Sequence, residues 1–269
     1  MQIIKVPGIN GSGTTQGCET SCNAVIGALK ETHSNEQGKL IDSSLLDLEE
    51  IHIDNLNLEL TNKLIYKNSL DTFETKPKVV FLGGDHSITY SIVKAFLDYC
   101  NDSSKEPCLI VFDARPDLTQ PRKEPTHNQW LRALIDAGFP TSNILLVGIR
   151  NSYVDEIKFI KSEGIKMISI NRLLEDIKDS CEVIMEFSSG KELYLSIDMG
   201  VVDPTFAPAT GQRDGVGGLT SRQLIYLMQR LNKIKRLRAI DIVEINAEKD
   251  KRFNGLTVKL GAKILSEFL

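Results

Sequence analysis

Short apolar runs rich in β-branched residues alternate with longer segments of helical period along almost the whole chain. The predicted strands are Ile3–Val6, Val79–Leu82, Leu109–Phe112, Ile144–Val147, Met167–Ile170, Leu193–Ile197 and Ala239–Val243. The predicted helices are Leu58–Leu70, Ile88–Tyr99, Gln129–Ala137, Val154–Ser162, Leu173–Phe187, Ser221–Leu231 and Leu256–Phe268. Strands that alternate with helices in this way form mainly parallel sheets with helices on both faces. The pattern therefore predicts an α/β fold, a three-layer α/β/α sandwich with a central, mainly parallel sheet.

Length and composition are typical of one large globular domain. The chain has 269 residues, and no Pro/Gly/Ser-rich linker or internal repeat divides it, so we interpret 1–269 as a single domain. The formal net charge of -4 is too mild to indicate a nucleic-acid or membrane-surface partner. No apolar window approaches the ~18 residues of a membrane helix, and Met1–Lys5 lacks signal-peptide organisation. We therefore expect a cytoplasmic protein with a small-molecule partner.

Unusual polar residues follow four of the predicted strands directly. Ligands of a parallel α/β sheet bind outside the carboxyl ends of its strands, so side chains at these positions can meet in one crevice. They are Asp85 and His86 after Val79–Leu82, Asp113, Arg115 and Asp117 after Leu109–Phe112, Asp198 after Leu193–Ile197, and Glu244 after Ala239–Val243. The sequence therefore predicts a site built from carboxylates and an imidazole.

Three of these carboxylates, Asp113, Asp117 and Asp198, need compensating positive charge if the crevice is buried, because an unpaired buried charge costs several kcal/mol. A metal ion, Arg115 or both can supply that charge. His86 beside carboxylates is a candidate ligand for a hard metal ion. The alternative interpretations are a surface ion-pair turn at 113–117 and a hydrogen-bonded structural histidine.

Two other features indicate chemistry only weakly. Gly11–Gly17 follows the first predicted strand, but its third glycine is one residue late for a dinucleotide-binding fingerprint. The cysteines are odd in number and contain no CxxC pair, so neither a disulfide framework nor a zinc ribbon is indicated; they are Cys18, Cys22, Cys100, Cys108 and Cys181. We interpret all five as reduced thiols, and Cys18 and Cys22 as packing residues.

Four motifs together resemble those of the arginase/agmatinase/formiminoglutamase (ureohydrolase) family. They are Gly83-Gly84-Asp85-His86-Ser87, Asp113-Ala114-Arg115-Pro116-Asp117, Ser196–Pro204 and Asp241–Asn246, in the family's order. Phe206–Gly211 and Gly217–Thr220 are similar to it too. The resemblance implies an arginase-like fold, assembly as a trimer or hexamer, and hydrolysis of guanidino or amidino C–N bonds with two manganese ions.

The family's metal ligands carry over to this sequence only in part. By resemblance, one metal takes its protein ligands from His86, Asp113, Asp117 and Asp198. The private ligands of the second metal are replaced, since Arg115 stands where the family has histidine and Gly200 where it has aspartate. A guanidinium has no lone pair to donate to a metal. The resemblance therefore implies one bound Mn²⁺ ion and a degenerate second site, which Arg115→His with Gly200→Asp is expected to recreate.

Other active-site positions of the family are kept. By resemblance, His127 is a proton-shuttling histidine that acts with the two bridging aspartates Asp113 and Asp198 as the catalytic residues. Glu244 corresponds to the carboxylate that binds the substrate guanidinium. A helix-start histidine capped near Asn128 is the alternative interpretation of His127.

The turn-rich segment Asp203–Gly211 is predicted to form an ordered loop over the crevice rather than a helix or central strand. A plain surface loop is the alternative. In the tripeptide that follows, Gln212-Arg213-Asp214, Arg213 is a candidate contact for a carboxylated substrate.

Two functions are compatible with this set of residues. The first is a ureohydrolase-type hydrolase of linear amidines that works with one metal ion, which the retained Glu244 and His127 favour. The second is a catalytically inactive family member, a pseudoenzyme that binds a guanidino ligand or regulates an active paralogue in a hetero-oligomer. The loss of second-metal ligands favours this alternative.

Overall fold

The structure, a computed structural model, describes residues 1–212 and 214–269, apart from the side chain of Ser43. Within these residues, eight strands form one sheet in which every pairing is parallel. The order across the sheet is β2-β1-β3-β8-β7-β4-β5-β6. The strands are β1 (Gln2–Val6), β2 (Asp47–Glu50), β3 (Val79–Gly83), β4 (Pro107–Phe112), β5 (Ile144–Ile149), β6 (Lys166–Ser169), β7 (Glu192–Asp198) and β8 (Leu237–Val243).

The α-helices lie in the connections between strands and after the last strand. They are α1 (Ser21–Leu29), α2 (Leu58–Thr75), α3 (Ile88–Asp102), α4 (Trp130–Asp136), α5 (Val154–Glu163), α6 (Ile170–Glu175), α7 (Ile177–Phe187), α8 (Ser221–Leu231), α9 (Ala247–Asp250) and α10 (Leu256–Phe268). Among the described residues, no helix combines the length and the apolar character that crossing a membrane requires.

Helices pack on both faces of the sheet and bury two apolar cores. Successive strand residues point to opposite faces. Val80 and Leu82 of β3 belong to a core that contains residues of α1, α6, α7, α8 and α10. Val79 and Phe81 belong to the other core, with residues of α2, α3, α4 and α5. The predicted three-layer α/β/α sandwich is confirmed, and its sheet is parallel throughout the described strands.

The seven predicted strands are all present, with bounds that differ by at most two residues. Three of the helices and strands were not predicted: α1, the short helix α9 and the edge strand β2. All four residues of β2 are exposed, so they carry no apolar alternation that could have marked a strand. The predicted single helix Leu173–Phe187 is wrong: α6 ends at Glu175, and the side chain of Asp176 accepts hydrogen bonds from the N–H groups of Lys178 and Asp179 to begin α7.

Four strands that end in candidate site residues are neighbours in the sheet, in the order β3-β8-β7-β4. Because all four are parallel, their carboxyl ends lie at the same edge. The residues that follow them are thereby delivered to one crevice.

Candidate functional site

The turn after β3 requires glycine. A Cβ added at Gly84 would overlap the carbonyl oxygen of Gly8, whose oxygen also accepts a hydrogen bond from Asp85 N at 3.0 Å. Asp85 is fully buried, and its Oδ1 accepts from Ser87 N at 3.0 Å, immediately before α3 begins. The turn therefore reverses the chain within a few residues and fixes the position of the histidine inside it.

That histidine, His86, lies against three carboxylates. Its Nδ1 is 3.2 Å from an Oδ2 of each of Asp113, Asp117 and Asp198, and all four side chains are buried. Donor atoms of His86, Asp113 and Asp198 lie within 4.8 Å of one another, which makes this trio a candidate metal site. Asp117 adjoins the trio and also accepts a hydrogen bond from Trp130 Nε1 at 2.9 Å.

The other nitrogen of His86 is tied to the sheet. His86 Nε2 lies 2.9 Å from Ser196 Oγ, which donates to Asp241 Oδ1 at 2.7 Å. Tyr194 and Thr89 donate to the second oxygen of the Asp241 carboxylate, each at 2.8 Å. With Ser196 donating to Asp241, the His86 tautomer that suits this chain carries its proton on Nε2 and leaves the Nδ1 lone pair facing the carboxylates.

The donor set fits a divalent metal ion. His86 Nδ1 and Asp113 Oδ2 are buried and lack a hydrogen-bond partner among the described residues. Burial acts to lower the pKa of His86, yet the three carboxylates raise it well above its usual value. Burial and the charge of Asp113 raise the pKa of Asp198 to about 6 and raise that of Asp117 as well. Positive charge is therefore what the cluster lacks, and oxygen and imidazole ligands are those that hard and borderline metals prefer.

Glu244 adjoins this cluster through the backbone of His86. Its Oε1 accepts a hydrogen bond from His86 N at 2.9 Å, while its Oε2 is buried with no partner in residues 1–212 or 214–269. A Cβ added at Gly211 would overlap that oxygen. Burial, together with the charges of Asp198 and Asp85, raises the pKa of Glu244 well above its usual value. A cationic ligand is the natural complement of such a carboxylate.

Two of the site residues have left-handed backbone. The φ angles of Asp117 and Glu244 are 53° and 64°. For residues other than glycine such a conformation costs ~1–3 kcal/mol and persists only where the surrounding structure holds it, often at functional sites. Glu244 is held on both sides, since its N–H donates to the carbonyl of Gly84 at 2.9 Å and its carbonyl accepts from Gly211 N at 3.0 Å.

His127 is buried in the loop before α4, which begins at Trp130. Its Nε2 contacts Gln212 Nε2, and the same Gln212 amide lies 3.2 Å from Asn128 Oδ1. Burial lowers the pKa of His127, which favours its neutral imidazole form. A cavity of about 260 Å³ opens beside His127, Asn128 and Gln212.

Asp214 is a site residue that the sequence indicated only as a member of the tripeptide Gln212-Arg213-Asp214. Its Oδ1 lies 3.3 Å from Arg115 Nε, and a Cβ added at Gly200 would overlap its Oδ2. Burial and the charges of Asp198 and Asp113 raise the pKa of Asp214 to about 7. Position in the sequence gave no signal of this contact, because it depends on how the loop after Gly211 folds back.

The loop after Gly211 and the five cysteines contain the other residues that the sequence singled out. Arg213, the candidate contact for a carboxylated substrate, lies outside the described residues. Cys18 and Cys22 are buried and unpaired, as are the other three cysteines. Burial raises the pKa of Cys22 to about 11, and that of Cys18 well above its usual value, so both thiols stay protonated at pH 7. Their environment supports the packing interpretation.

This chain is similar to one known protein family over its whole length. A family model described as "Arginase family" matches residues 1–269. The chain belongs to the arginase family. It is 31% identical over 209 residues to an arginase of Staphylococcus aureus, an alignment that covers 70% of this chain and 67% of that protein. It is 28% identical over 190 residues to an N(1)-aminopropylagmatine ureohydrolase of Thermus thermophilus, covering 70% of this chain and 61% of that protein.

Solved structures show the same arginase fold. A formimidoylglutamase from Bacillus subtilis superposes with a TM-score of 0.86 at 24% identity, over 99% of this chain and 85% of that chain. An arginase from Bacillus cereus superposes with a TM-score of 0.83 at 22% identity, over 99% of this chain and 96% of that chain. The predicted arginase-like architecture is therefore confirmed.

The residues that the sequence resemblance suggested for two metals lie in two groups. His86 and the three aspartates expected at a first metal converge on one point. Arg115 and Gly200, at the positions expected for a second metal, both lie against Asp214. The guanidinium of Arg115 contacts Asp214 and donates from Nη2 to Asn128 Oδ1 at 2.5 Å.

Proposed function

We propose that this arginase-family chain hydrolyses guanidino or amidino C–N bonds with one tightly bound Mn²⁺ ion, the second metal site of the family being lost. The observation that carries the proposal is the buried trio of His86, Asp113 and Asp198, next to the unpartnered oxygen of Glu244. The relatives named as an arginase and a ureohydrolase support the same class of reaction. Arg115 and Gly200 offer no donor atom for a second ion.

Each retained side chain has a role in this reaction. Glu244 accepts charge-assisted hydrogen bonds from a planar guanidinium. This contact turns the guanidinium carbon of the ligand toward the proposed metal centre. Asp113 and Asp198, with His86 and with Asp117 as a further ligand, would hold the ion, and the two carboxylates would orient the attacking water. A bound divalent metal ion supplies a nucleophilic water at neutral pH by lowering the pKa of that water. His127, as the neutral imidazole, would accept the proton that the attacking water loses and pass it to the leaving amine.

Metal content and product release test this proposal together. Protein loaded with Mn²⁺ and dialysed should retain one ion per chain by elemental analysis. It should release urea or ammonia from at least one of arginine, agmatine, guanidinobutyrate and formiminoglutamate. Asp117→Ala should release the retained ion. Protein that keeps no ion, or two ions of equal affinity, contradicts the proposed centre.

Guanidinium recognition by Glu244 is tested by thermal shift, which needs no turnover. A guanidino ligand should raise the melting temperature of the wild type and leave that of Glu244→Gln unchanged. Glu267→Gln is the matched control, because Glu267 is a buried carboxylate of α10 that also accepts a backbone N–H. Equal ligand responses of wild type and Glu244→Gln would exclude Glu244 as the recognition residue.

A second candidate function is ligand binding without hydrolysis, as a pseudoenzyme. The contact of Gln212 with His127 Nε2 favours it, since it covers the nitrogen that would carry the proton. Ligand-dependent melting shifts without product release, in protein that retains its ion, would support this function over hydrolysis.

The proposal also covers the metal ion, the domain organisation, the cellular location and the assembly of the protein. It includes Mn²⁺ as the ion, 1–269 as one domain, a cytoplasmic location, and assembly as a trimer, a hexamer or a hetero-oligomer with an active paralogue. Light scattering of the purified chain, alone and mixed with a paralogue, distinguishes these assemblies.

A further inference from the structure

The loop after Gly211 inserts a carboxylate where a side chain at position 200 would otherwise go. Gly200 is buried, and a Cβ added there would overlap Asp214 Oδ2 and lie 2.8 Å from Asp198 Oδ1. Asp214 is itself only 9% exposed. The space beside Asp198 is therefore filled by a side chain from a different segment of the chain, and it is not an open vacancy left by a missing aspartate.

The inserted carboxylate of Asp214 is paired with Arg115, the other position at which this chain departs from its family's pattern. Asp214 Oδ1 lies 3.3 Å from Arg115 Nε, and no hydrogen bond to this oxygen is formed within the described chain. Arg115 is anchored at its far end by Asn128 Oδ1, 2.5 Å from Nη2. A guanidinium and a carboxylate thus stand together at the two positions that distinguish this chain from its family's pattern.

The loop that carries Asp214 is held in this place by specific contacts. Arg150 Nη2 donates to the carbonyl oxygens of Gly200 at 2.8 Å and Gly215 at 3.3 Å, which joins the two segments directly. Asn151 Nδ2 donates to the carbonyl of Asp214 itself. The hydrogen bonds to Gly215 and Asp214 would have to be released before the loop could withdraw its carboxylate.

From these contacts we infer that the Arg115–Asp214 ion pair takes the structural place of the second metal ion, with Asp214 as the positioning residue that fills the site. Four carboxylates, those of Asp113, Asp117, Asp198 and Asp214, are then balanced by one divalent ion and the guanidinium groups of Arg115 and Arg150. A second divalent ion would leave this group of side chains with excess positive charge. This inference rests on the proposed one-ion centre. It also changes which substitutions are needed to restore a second metal site.

The consequence is that restoring the two family ligands is not sufficient. Arg115→His with Gly200→Asp supplies both donors, but Asp214 still occupies the volume that the new aspartate needs. Adding Asp214→Ala should open that volume. Asp214→Asn removes the charge and keeps the volume, so it separates the two effects of the side chain.

Metal counting tests the inference directly. After Mn²⁺ loading and dialysis, we expect one ion per chain in wild type, in Arg115→His/Gly200→Asp, and in that double variant with Asp214→Asn. We expect two ions only when Asp214→Ala is added to the double variant. Two ions in the double variant itself would show that Asp214 swings aside and would overturn the inference, as would one ion in the variant with Asp214→Ala.

A thermal measurement without metal keeps this test separate from the proposed function. Gly200→Ala should lower the melting temperature by several degrees in the wild-type background and by less in an Asp214→Ala background, because the overlap with Asp214 Oδ2 is then absent and only the 2.8 Å contact with Asp198 Oδ1 remains. Equal losses in both backgrounds would exclude filling by Asp214. If wild type failed to retain one ion, the proposed metal centre would be contradicted. The thermal comparison of Gly200→Ala in the two backgrounds would still show whether Asp214 fills the space.

Discussion

Ser196 holds the imidazole of His86 from behind, with its Oγ 2.9 Å from Nε2 on the side opposite the carboxylates. The serine in turn donates to Asp241, a carboxylate in the middle of β8 that is fully buried and satisfied by four donors. The chain from Asp241 through Ser196 to His86 has no path to solvent at any of its members. Its role is therefore to orient the ring and select its tautomer, not to exchange protons with water.

We predict that Ser196→Ala weakens Mn²⁺ binding by about 10–100-fold, the usual effect of removing a group that orients a ligating histidine. Isothermal titration with Mn²⁺ measures the change. Ser69→Ala is the matched control, because Ser69 is also fully buried but its Oγ has no hydrogen-bond partner among the described residues. Equal affinities of Ser196→Ala and wild type would show that the ring needs no support from β7.

Intrinsic fluorescence should report occupation of the centre. Trp130 is the only tryptophan of the chain, its ring centroid lies 4.6 Å from that of His86, and its Nε1 donates to Asp117. Binding of Mn²⁺ to those two residues changes the surroundings of the indole, so we predict a change in emission that saturates at one equivalent. Asp113→Asn should abolish the response. A response that continues to two equivalents would indicate a second site of similar affinity.

Sequence patterns predicted the fold well because the sheet is buried on both faces. Strands such as Val79–Gly83 and Pro107–Phe112 consist of buried residues throughout, so their apolar runs are long and uninterrupted. The edge strand Asp47–Glu50 is exposed at every residue and leaves no such pattern. The break between α6 and α7 depends on one capping aspartate, Asp176, inside an otherwise helical period.

Sequence patterns predicted the candidate site where it is built from strand ends, and not where it is built from loops. His86, Asp113 and Asp198 follow neighbouring parallel strands, so topology alone brings them together. Asp214 and Gln212 reach the crevice because a loop folds back over it, and the contacts that fix this loop come from Arg150 and Asn151, far away in sequence. The hydrophobic periodicity of a segment does not indicate which distant residues will contact it.

Glycine at position 84 is predicted to be required by packing. Gly84→Ala should destabilise the protein by about 1–3 kcal/mol or more, because its Cβ would meet the Gly8 carbonyl oxygen, a backbone atom that cannot rotate away. Gly27→Ala is the control: its Cβ would meet nothing within 4 Å, and alanine in the interior of α1 should stabilise by ~0.5–1 kcal/mol. Urea unfolding measures both. Similar effects of the two substitutions would refute the packing argument.

Lys78, remote from the site, should give the protein a stability that rises with pH. Burial, and to a smaller extent the charge of Lys39, lowers the pKa of Lys78 from 10.5 to about 8, and the ammonium contacts only Asn232 Oδ1 and the ring of Phe268 among the described residues.

The sign follows from proton binding. Between about pH 8 and 10.5 the unfolded chain holds a proton on Lys78 that the folded chain has released, so this group's contribution to the free energy of unfolding increases with pH in that window. Below pH 8 both states are protonated and the cost of burying the ammonium is present in full. Lys78→Met should therefore be more stable than wild type at pH 7, by about 1–3 kcal/mol, and the difference should shrink at pH 9.5. Urea unfolding at the two pH values measures it, with the exposed Lys161→Met as the control for loss of a surface charge. A difference for Lys78→Met that is the same at both pH values would show that the ammonium is not buried at a cost.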